Sequence, residues 1–138
     1  MTAPEVLRLM QTHPDVRFVF KDWPILDRGT DDTSHYAARA AQAAHRQGKY
    51  LAVFQALMAE PALTRTAVDR ILAANGVVMP TARTAMASPE IARRLADIQL
   101  SAANLGLQGT PTFFINGQAS ASIQPADIDR AIRAAKAG

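Results

Sequence analysis

The stretch Gly109-Thr110-Pro111-Thr112-Phe113-Phe114-Ile115-Asn116-Gly117 contains the strongest structural signal in the sequence. Thr112 to Ile115 are β-branched or aromatic, which is typical of a buried strand. Asn116-Gly117 favours a hairpin, because both residue types tolerate the positive φ of a type I′ turn. A proline cannot donate a hydrogen bond to a strand ladder, so we expect Pro111 at the first position of its strand. The stretch therefore predicts a β-hairpin that begins at Pro111.

The residues around this hairpin resemble the C-terminal signature of DsbA-like thioredoxin-fold proteins. A predicted helix that ends in Asn104-Leu105-Gly106-Leu107 is followed directly by Gln108 and the hairpin. A second run, VRFVFKDWPIL at residues 16–26, is similar to the pattern of the same family, in which a basic-flanked strand ends in an aromatic-proline step. The resemblance covers nearly all of residues 4–136. It implies an α/β, thioredoxin-like sheet with an inserted helical subdomain.

The resemblance also implies a binding site at Gly109, Thr110 and Pro111. An X-Pro bond adopts the cis form at a cost of only about 0.5–1 kcal/mol, and the family resemblance implies cis between Thr110 and Pro111. In that family the loop presents backbone groups to an extended peptide, which is recognition by strand pairing. The residue before the proline touches both the redox cysteines and the substrate. The partner that the resemblance implies is therefore a cysteine-containing protein or peptide, bound at the Pro111 loop.

Composition limits the other functional classes. The 138 residues suit one compact domain, and no apolar run approaches the roughly 18 residues of a membrane span. The net charge is +3, and the 15 Lys and Arg are spread along the chain, so no nucleic-acid partner is predicted. The first residues lack a basic region followed by an apolar one, so no secretory signal is predicted. The compartment stays open, although the family implies the periplasm or envelope for a protein with a signal peptide.

Apolar periodicity and capping residues predict one domain, residues 1–138, with a helical insert at about residues 34–87. In chain order, the predicted elements are a helix from the N-cap Thr2 to Thr12, a strand at Val16–Lys21, helices at His35–Gln47, Lys49–Ala59 and Thr64–Asn75, a long helix after Ser88-Pro89, the hairpin with a second strand at Gln118–Ile123, and a terminal helix from Pro125.

The same periodicity predicts which residues are buried. In the strand at Val16–Lys21, Val16, Phe18 and Phe20 lie on one face and Val19 on the other, so both faces are expected to be partly covered. Phe113 and Phe114 alternate faces, and both are predicted in the core. The expected buried residues of the first two insert helices are Tyr36, Ala40, Ala41 and Ala44, and Leu51, Phe54, Leu57 and Met58.

The resemblance does not extend to the segment that carries the redox chemistry in this family. A complete DsbA-like fold begins with a central strand that leads into Cys-x-x-Cys at the start of its first long helix, and this sequence contains no cysteine. Thiol–disulfide exchange requires a thiolate, and no residue here can replace it. We therefore expect the central first strand to be missing, assign no catalytic residue and no cofactor, and expect the chain to be redox-inactive.

Three functional interpretations remain open at this point. The first is a thiol–disulfide oxidoreductase domain that acts on protein cysteines and is inactive here because its front end is absent. The second is a redox-dead thioredoxin-fold module that binds peptides at the Pro111 loop. The third is an enzyme similar to kappa-type glutathione transferases, whose site serine would also lie in the missing region.

The remaining polar residues predict little chemistry. His13, His35 and His45 have no metal-ligand spacing, so each is predicted on the surface and no metal is assigned. Asp22 follows the predicted strand directly. It is interpreted as a strand-end cap, with the alternative that it tunes a nearby thiol.

A missing central strand predicts an assembly. In the thioredoxin fold that strand lies between the strands placed at Val16–Lys21 and Thr112–Ile115, and its loss leaves two facing edges unpaired. An unmade buried hydrogen bond costs about 1–3 kcal/mol. The two strands therefore either close on each other or are covered by a second copy of the chain. We favour the homodimer, because closure of the sheet also requires the flanking helices to repack.

Overall fold

The computed structural model describes residues 1–138, which form seven helices and one two-stranded sheet. None of the helices has the length and apolar character that crossing a membrane requires. In chain order the elements are α1 (Ala3–Thr12), α2 (Thr33–Arg46), α3 (Tyr50–Ala59), α4 (Arg65–Ala74), α5 (Met79–Met86), α6 (Pro89–Asn104), β1 (Phe114–Ile115), β2 (Gln118–Ala119) and α7 (Pro125–Ala137).

The chain divides into two compact units. The terminal unit combines Met1–Phe20 with Leu107–Gly138, and the helical unit is Lys21–Gly106. The helical unit contains the predicted insert at about residues 34–87 together with α6. The assignment of residues 1–138 to a single domain stays a prediction.

The core of the terminal unit is formed by α1 and α7. Leu9 of α1 packs with Ile128 and Ile132 of α7, and all three side chains are buried. As predicted, Thr2 caps α1, because its side chain accepts from the Glu5 N–H while the Glu5 carboxylate accepts from the Thr2 N–H. The half-buried side chains against this core are those of Met1, Val16, Phe18, Phe113 and Ile115.

His13 lies at the end of α1 and is only 1% exposed, so its prediction as a surface residue is wrong. Lys136 of α7 donates from Nζ to His13 Nδ1 at 2.9 Å and to the Asp15 carboxylate at 2.7 Å. An ammonium group only donates, so Nδ1 is the acceptor and Nε2–H donates to Asp129 at 2.7 Å. The residues that bury His13 are more than a hundred positions away in sequence, where local periodicity gives no signal.

The predicted hairpin is present. β1 and β2 pair antiparallel, with Phe114 opposite Ala119 and Ile115 opposite Gln118. The turn is Asn116-Gly117, whose φ values are +47° and +80°, as a type I′ turn requires. The peptide bond between Thr110 and Pro111, just before β1, is cis.

The predicted sheet is only partly present, because the chain is mostly helical and β1 and β2 are two residues long each. The segment Val16–Lys21 belongs to no sheet. A strand needs a neighbour that accepts its main-chain hydrogen bonds, and β-forming residues do not supply that neighbour. The two predicted strands do not close on each other in this structure, so that alternative is wrong for this chain.

The exposure of side chains in the two predicted strands contradicts two further predictions. Val19 is 57% exposed and Phe114 is 42% exposed, whereas Phe18 and Phe113 lie half-buried against the terminal core. The prediction that both faces of Val16–Lys21 are covered is therefore wrong, as is the placement of Phe114 in the core. The alternation itself is correct, because only one face of each segment meets α1 and α7.

The helical unit is organised around α2, which packs against α3, α4, α5 and α6. Its side chains are small enough for this, because alanines fill the buried surface of the helix. The helix predicted at His35–Gln47 begins earlier: α2 starts at Thr33, after Asp32, and the Asp27 carboxylate accepts from the N–H groups of Ser34 and His35. The buried α2 residues are Ala37, Ala38, Ala40, Ala41, Gln42, Ala43 and Ala44.

The other helices of this unit differ from the predictions in detail. In α3 the fully buried residue is Val53, whereas the predicted core residues Leu51 and Met58 are exposed. The sequence predicts no element at residues 79–86, where the structure has α5. Pro80 lies in the first turn, where a missing N–H costs nothing. Thr64 caps α4 and Ser88 caps α6, because their hydroxyl oxygens accept from the N–H groups of Ala67 and Ile91.

We expect the substitution His13→Ala to lower the free energy of unfolding by about 2–4 kcal/mol, because it leaves a cavity and removes two buried hydrogen bonds. Urea unfolding measures the change. His45→Ala is the matched control on an exposed position, with an expected change within about 0.5 kcal/mol. Equal effects of the two substitutions would contradict the structural role of His13.

Candidate functional site

The predicted site residues lie in the loop between α6 and β1. Thr110, Pro111 and Thr112 are exposed and Gly109 is half-buried. The Thr112 hydroxyl donates to the Gly109 carbonyl oxygen at 2.7 Å. The three predicted residues Gly109, Thr110 and Pro111 are thus adjacent at the surface, with no other element covering them.

This loop offers binding groups but no titratable side chain. Glycine, threonine and proline carry no group that ionises near neutral pH, so the chemistry available is hydrogen bonding by the backbone and by hydroxyl groups. β1 continues the loop, and its edge away from β2 has no partner strand, since the sheet contains β1 and β2 alone. An extended peptide can pair with such an edge. The arrangement offers backbone and hydroxyl groups for hydrogen bonding.

A polar cluster in the helical unit was not predicted. The Asp22 carboxylate accepts from Gln42 Nε2 at 2.5 Å and from the Tyr50 hydroxyl at 2.7 Å. The strand-end cap proposed for Asp22 is therefore wrong, because its partners are side chains of α2 and α3. One sequence signal could have found this cluster: Gln42 is a polar residue in a run of buried alanines, and it is only 6% exposed. A buried amide requires a polar partner.

Burial controls the electrostatics of this cluster. It raises the pKa of Asp22, and the hydrogen bonds from Tyr50 and Gln42, together with the Arg94 charge, only partly oppose that rise. Burial and the neighbouring Asp22 carboxylate also raise the pKa of the Tyr50 hydroxyl, which stays protonated. The cluster therefore stabilises a buried acid by hydrogen bonds, and it lies outside the predicted site.

A second acid–imidazole contact begins α2. His35 Nδ1 lies 2.6 Å from the Asp27 carboxylate, which also accepts the Ser34 and His35 N–H groups. Burial raises the pKa of Asp27, but the hydrogen bonds from His35 and from the two N–H groups outweigh it and lower the pKa. Nowhere in residues 1–138 do three His, Cys, Asp or Glu side chains meet as metal ligands.

A cavity of about 340 Å³ lies in the helical unit between Lys21 and α6. Its walls carry charges of both signs, so it selects no single charge, and none of the predicted site residues lines it. The charged and hydroxyl residues that line it are Lys21, Glu90, Arg93, Arg94, Asp97 and Ser101.

We expect the Asp22→Asn protein to gain stability relative to the wild type as the pH rises from about 4 to 7. The raised pKa means that folded Asp22 holds its proton above the unfolded value of 3.8, so wild-type stability falls in this range as the carboxyl group ionises. Asparagine removes that titration and still accepts from the Tyr50 hydroxyl. Urea unfolding at several pH values measures the difference between the two proteins.

Asp15→Asn is a control for which we expect the opposite pH dependence of stability. The hydrogen bond from Lys136 lowers the pKa of Asp15, so this carboxylate stabilises the folded state above its unfolded value of 3.8 and loses that effect as the pH falls. Asp15→Asn should therefore be the less stable protein near neutral pH. A wild type that gains stability over Asp22→Asn between about pH 4 and 7 would overturn the first expectation.

The fold is similar to several solved structures. A thioredoxin-like oxidoreductase from Silicibacter pomeroyi DSS-3 is 33% identical, with a TM-score of 0.87 over 98% of this chain and 77% of its own. The catalytic domain of Proteus mirabilis ScsC is 18% identical, with a TM-score of 0.81 over 99% of this chain and 75% of its own. A periplasmic thioredoxin-like protein from Salmonella enterica serovar Typhimurium is 19% identical, with a TM-score of 0.78 over 98% and 75%.

The last two structures share the fold alone with this chain at such low identity. The comparison with curated proteins found no match. The family model described as the DSBA-like thioredoxin domain matches residues 2–133, and thus both the terminal unit and the helical unit. With that match and with the DsbA-like motifs at residues 16–26 and 104–117, the chain belongs to the DSBA-like thioredoxin domain family.

Proposed function

We propose that this chain is a thiol–disulfide oxidoreductase domain of the DsbA family that acts on protein cysteines, and that its 138 residues are redox-inactive by themselves. The observation that carries the proposal is the family match over residues 2–133. The inactivity follows from chemistry, because the sequence contains no cysteine and disulfide exchange requires an attacking thiolate. The chain supplies the docking part of the reaction.

Gly109, Thr110 and Pro111 are the proposed docking residues. Their support is the exposure of Thr110 and Pro111 at the surface. Backbone pairing reads the extended shape of a peptide more than its side chains, which suits an enzyme that must accept many cysteine-containing proteins. No cofactor is part of this proposal.

A redox-dead peptide-binding module is the second candidate. The complete absence of cysteine favours it, since such a module needs the Pro111 loop and no thiol. The two candidates share the docking loop and differ only in whether chemistry follows docking.

We expect the chain alone to reduce insulin disulfides no faster than the uncatalysed reaction, because it has no thiol. Insulin precipitation in the presence of dithiothreitol measures the rate. The matched variant carries an added N-terminal strand and a Cys-Pro-x-Cys segment ahead of Met1, and we expect it to be active. A folded but inactive extended chain would favour the binding module, and activity of the unmodified chain would contradict the proposed inactivity.

We also propose that the chain forms a homodimer through residues 16–19. Their side chains alternate between half-buried and exposed, they lie outside any sheet, and Val19 presents an apolar side chain to solvent. An exposed extended edge is a template for pairing with another chain. Two copies related by a twofold axis would each cover the same segment of the other.

Light scattering coupled to size exclusion at micromolar concentration should give about twice the chain mass of 14.8 kDa. We expect Val19→Lys to shift the mass to that of the monomer, because a charge on this segment opposes pairing. Val78→Lys is the matched control, since Val78 lies in the helical unit and is also 57% exposed. A wild-type mass that stays near 14.8 kDa on concentration would refute the dimer.

A further inference from the structure

One internal hydrogen bond joins the two ends of the Pro111 loop. The Thr112 hydroxyl donates to the carbonyl oxygen of Gly109 at 2.7 Å, which is the usual length of an O–H···O bond. The bond spans Thr110 and Pro111, the two residues that the proposed function assigns to peptide docking. It is therefore a side-chain bond that sets the shape of a backbone site.

The loop has few other internal restraints. Pro111 has no N–H, and no hydrogen bond between two main-chain groups involves residues 109–112. Gly109 precedes the exposed residues with no Cβ to restrict its backbone. The Thr112 hydroxyl is thus the hydrogen bond that limits the conformations of Thr110 and Pro111.

The same bond decides which backbone groups stay available. The Gly109 carbonyl is used inside the loop, whereas the N–H and C=O of exposed Thr110 have no partner in the chain. A peptide that pairs with the loop would therefore find its donor and acceptor at Thr110. A loop without the Thr112 bond would present several combinations of free groups.

We infer that Thr112 is a positioning residue, whose hydroxyl group fixes the loop in the shape that a docking peptide meets. The inference rests on the proposed docking function of Gly109, Thr110 and Pro111. An unrestrained loop must be ordered when the peptide binds, and the cost is subtracted from the affinity. Loss of one neutral hydrogen bond should weaken peptide binding about two- to tenfold.

Threonine allows a precise test, because two substitutions separate the hydroxyl from the shape of the side chain. Thr112→Val keeps the branched shape and removes the donor, and Thr112→Ser keeps the donor. Thr66→Val, on an exposed position of α4, controls for the general effect of a threonine-to-valine change.

The experiment is NMR of the ¹⁵N-labelled full chain, first free and then titrated with a short blocked peptide that contains one central reduced cysteine. In the free protein, we expect Thr112→Val to shift the Gly109 and Thr110 amide signals and to increase their fast backbone motion. In the titration, the same variant should bind the peptide about two- to tenfold more weakly. Thr112→Ser and Thr66→Val should resemble the wild type in both measurements.

The two readouts separate this inference from the proposed function. Unchanged loop signals and motion in Thr112→Val would overturn the inference, whatever the peptide does. Equal loss of affinity in Thr112→Val and Thr112→Ser would also overturn it, because the hydroxyl would then be irrelevant. If the loop of Thr112→Val loosens while the wild type binds no peptide, the positioning role stands and the docking function proposed for the loop is wrong.

Discussion

Each strand in this chain depends on a neighbour for its main-chain hydrogen bonds, and only β1 and β2 provide one for each other. Val16 and Phe18 pack on the same α1–α7 core as Ile115 of β1, but the segment that contains them forms no ladder. The apolar surface on which a sheet would pack is therefore present, but most of the sheet is absent. The exposed side of Val19 and the free edge of β1 both follow from this one deficit, and so do the proposals for docking and assembly.

The helices are independent of that deficit, because a helix satisfies its backbone hydrogen bonds within itself. In the helical unit, the alanines of α2 let four other helices approach closely, and fully buried Val53, Val68 and Leu72 fill the space around them. The polar exceptions are fully paired, since no buried side-chain nitrogen or oxygen lacks a hydrogen bond. A raised Asp22 pKa is the cost of placing a carboxyl group there.

The candidate site separates recognition from chemistry. Thr110 and Pro111 offer backbone groups and no ionisable side chain, while the thiol chemistry expected of the family needs residues that this sequence does not contain. Docking by backbone pairing requires only that the loop keep its shape, and the hydrogen bond from Thr112 to Gly109 provides that restraint. The acids and histidines of the chain serve elsewhere, at helix ends and in buried contacts between helices.

Local physics made several features predictable from the sequence: the Thr2 and Ser88 caps depend on side chains three residues from their partners, and the Asn116-Gly117 turn depends on two φ angles. The candidate loop at Pro111 was located by the family resemblance of residues 104–117. Tertiary structure alone decided the burial of His13, the contact of Asp22 with α2 and α3, and the absence of a ladder at Val16–Lys21. Each of these depends on residues distant in sequence, because a buried polar group and a strand are stable only when a partner from elsewhere in the chain meets them.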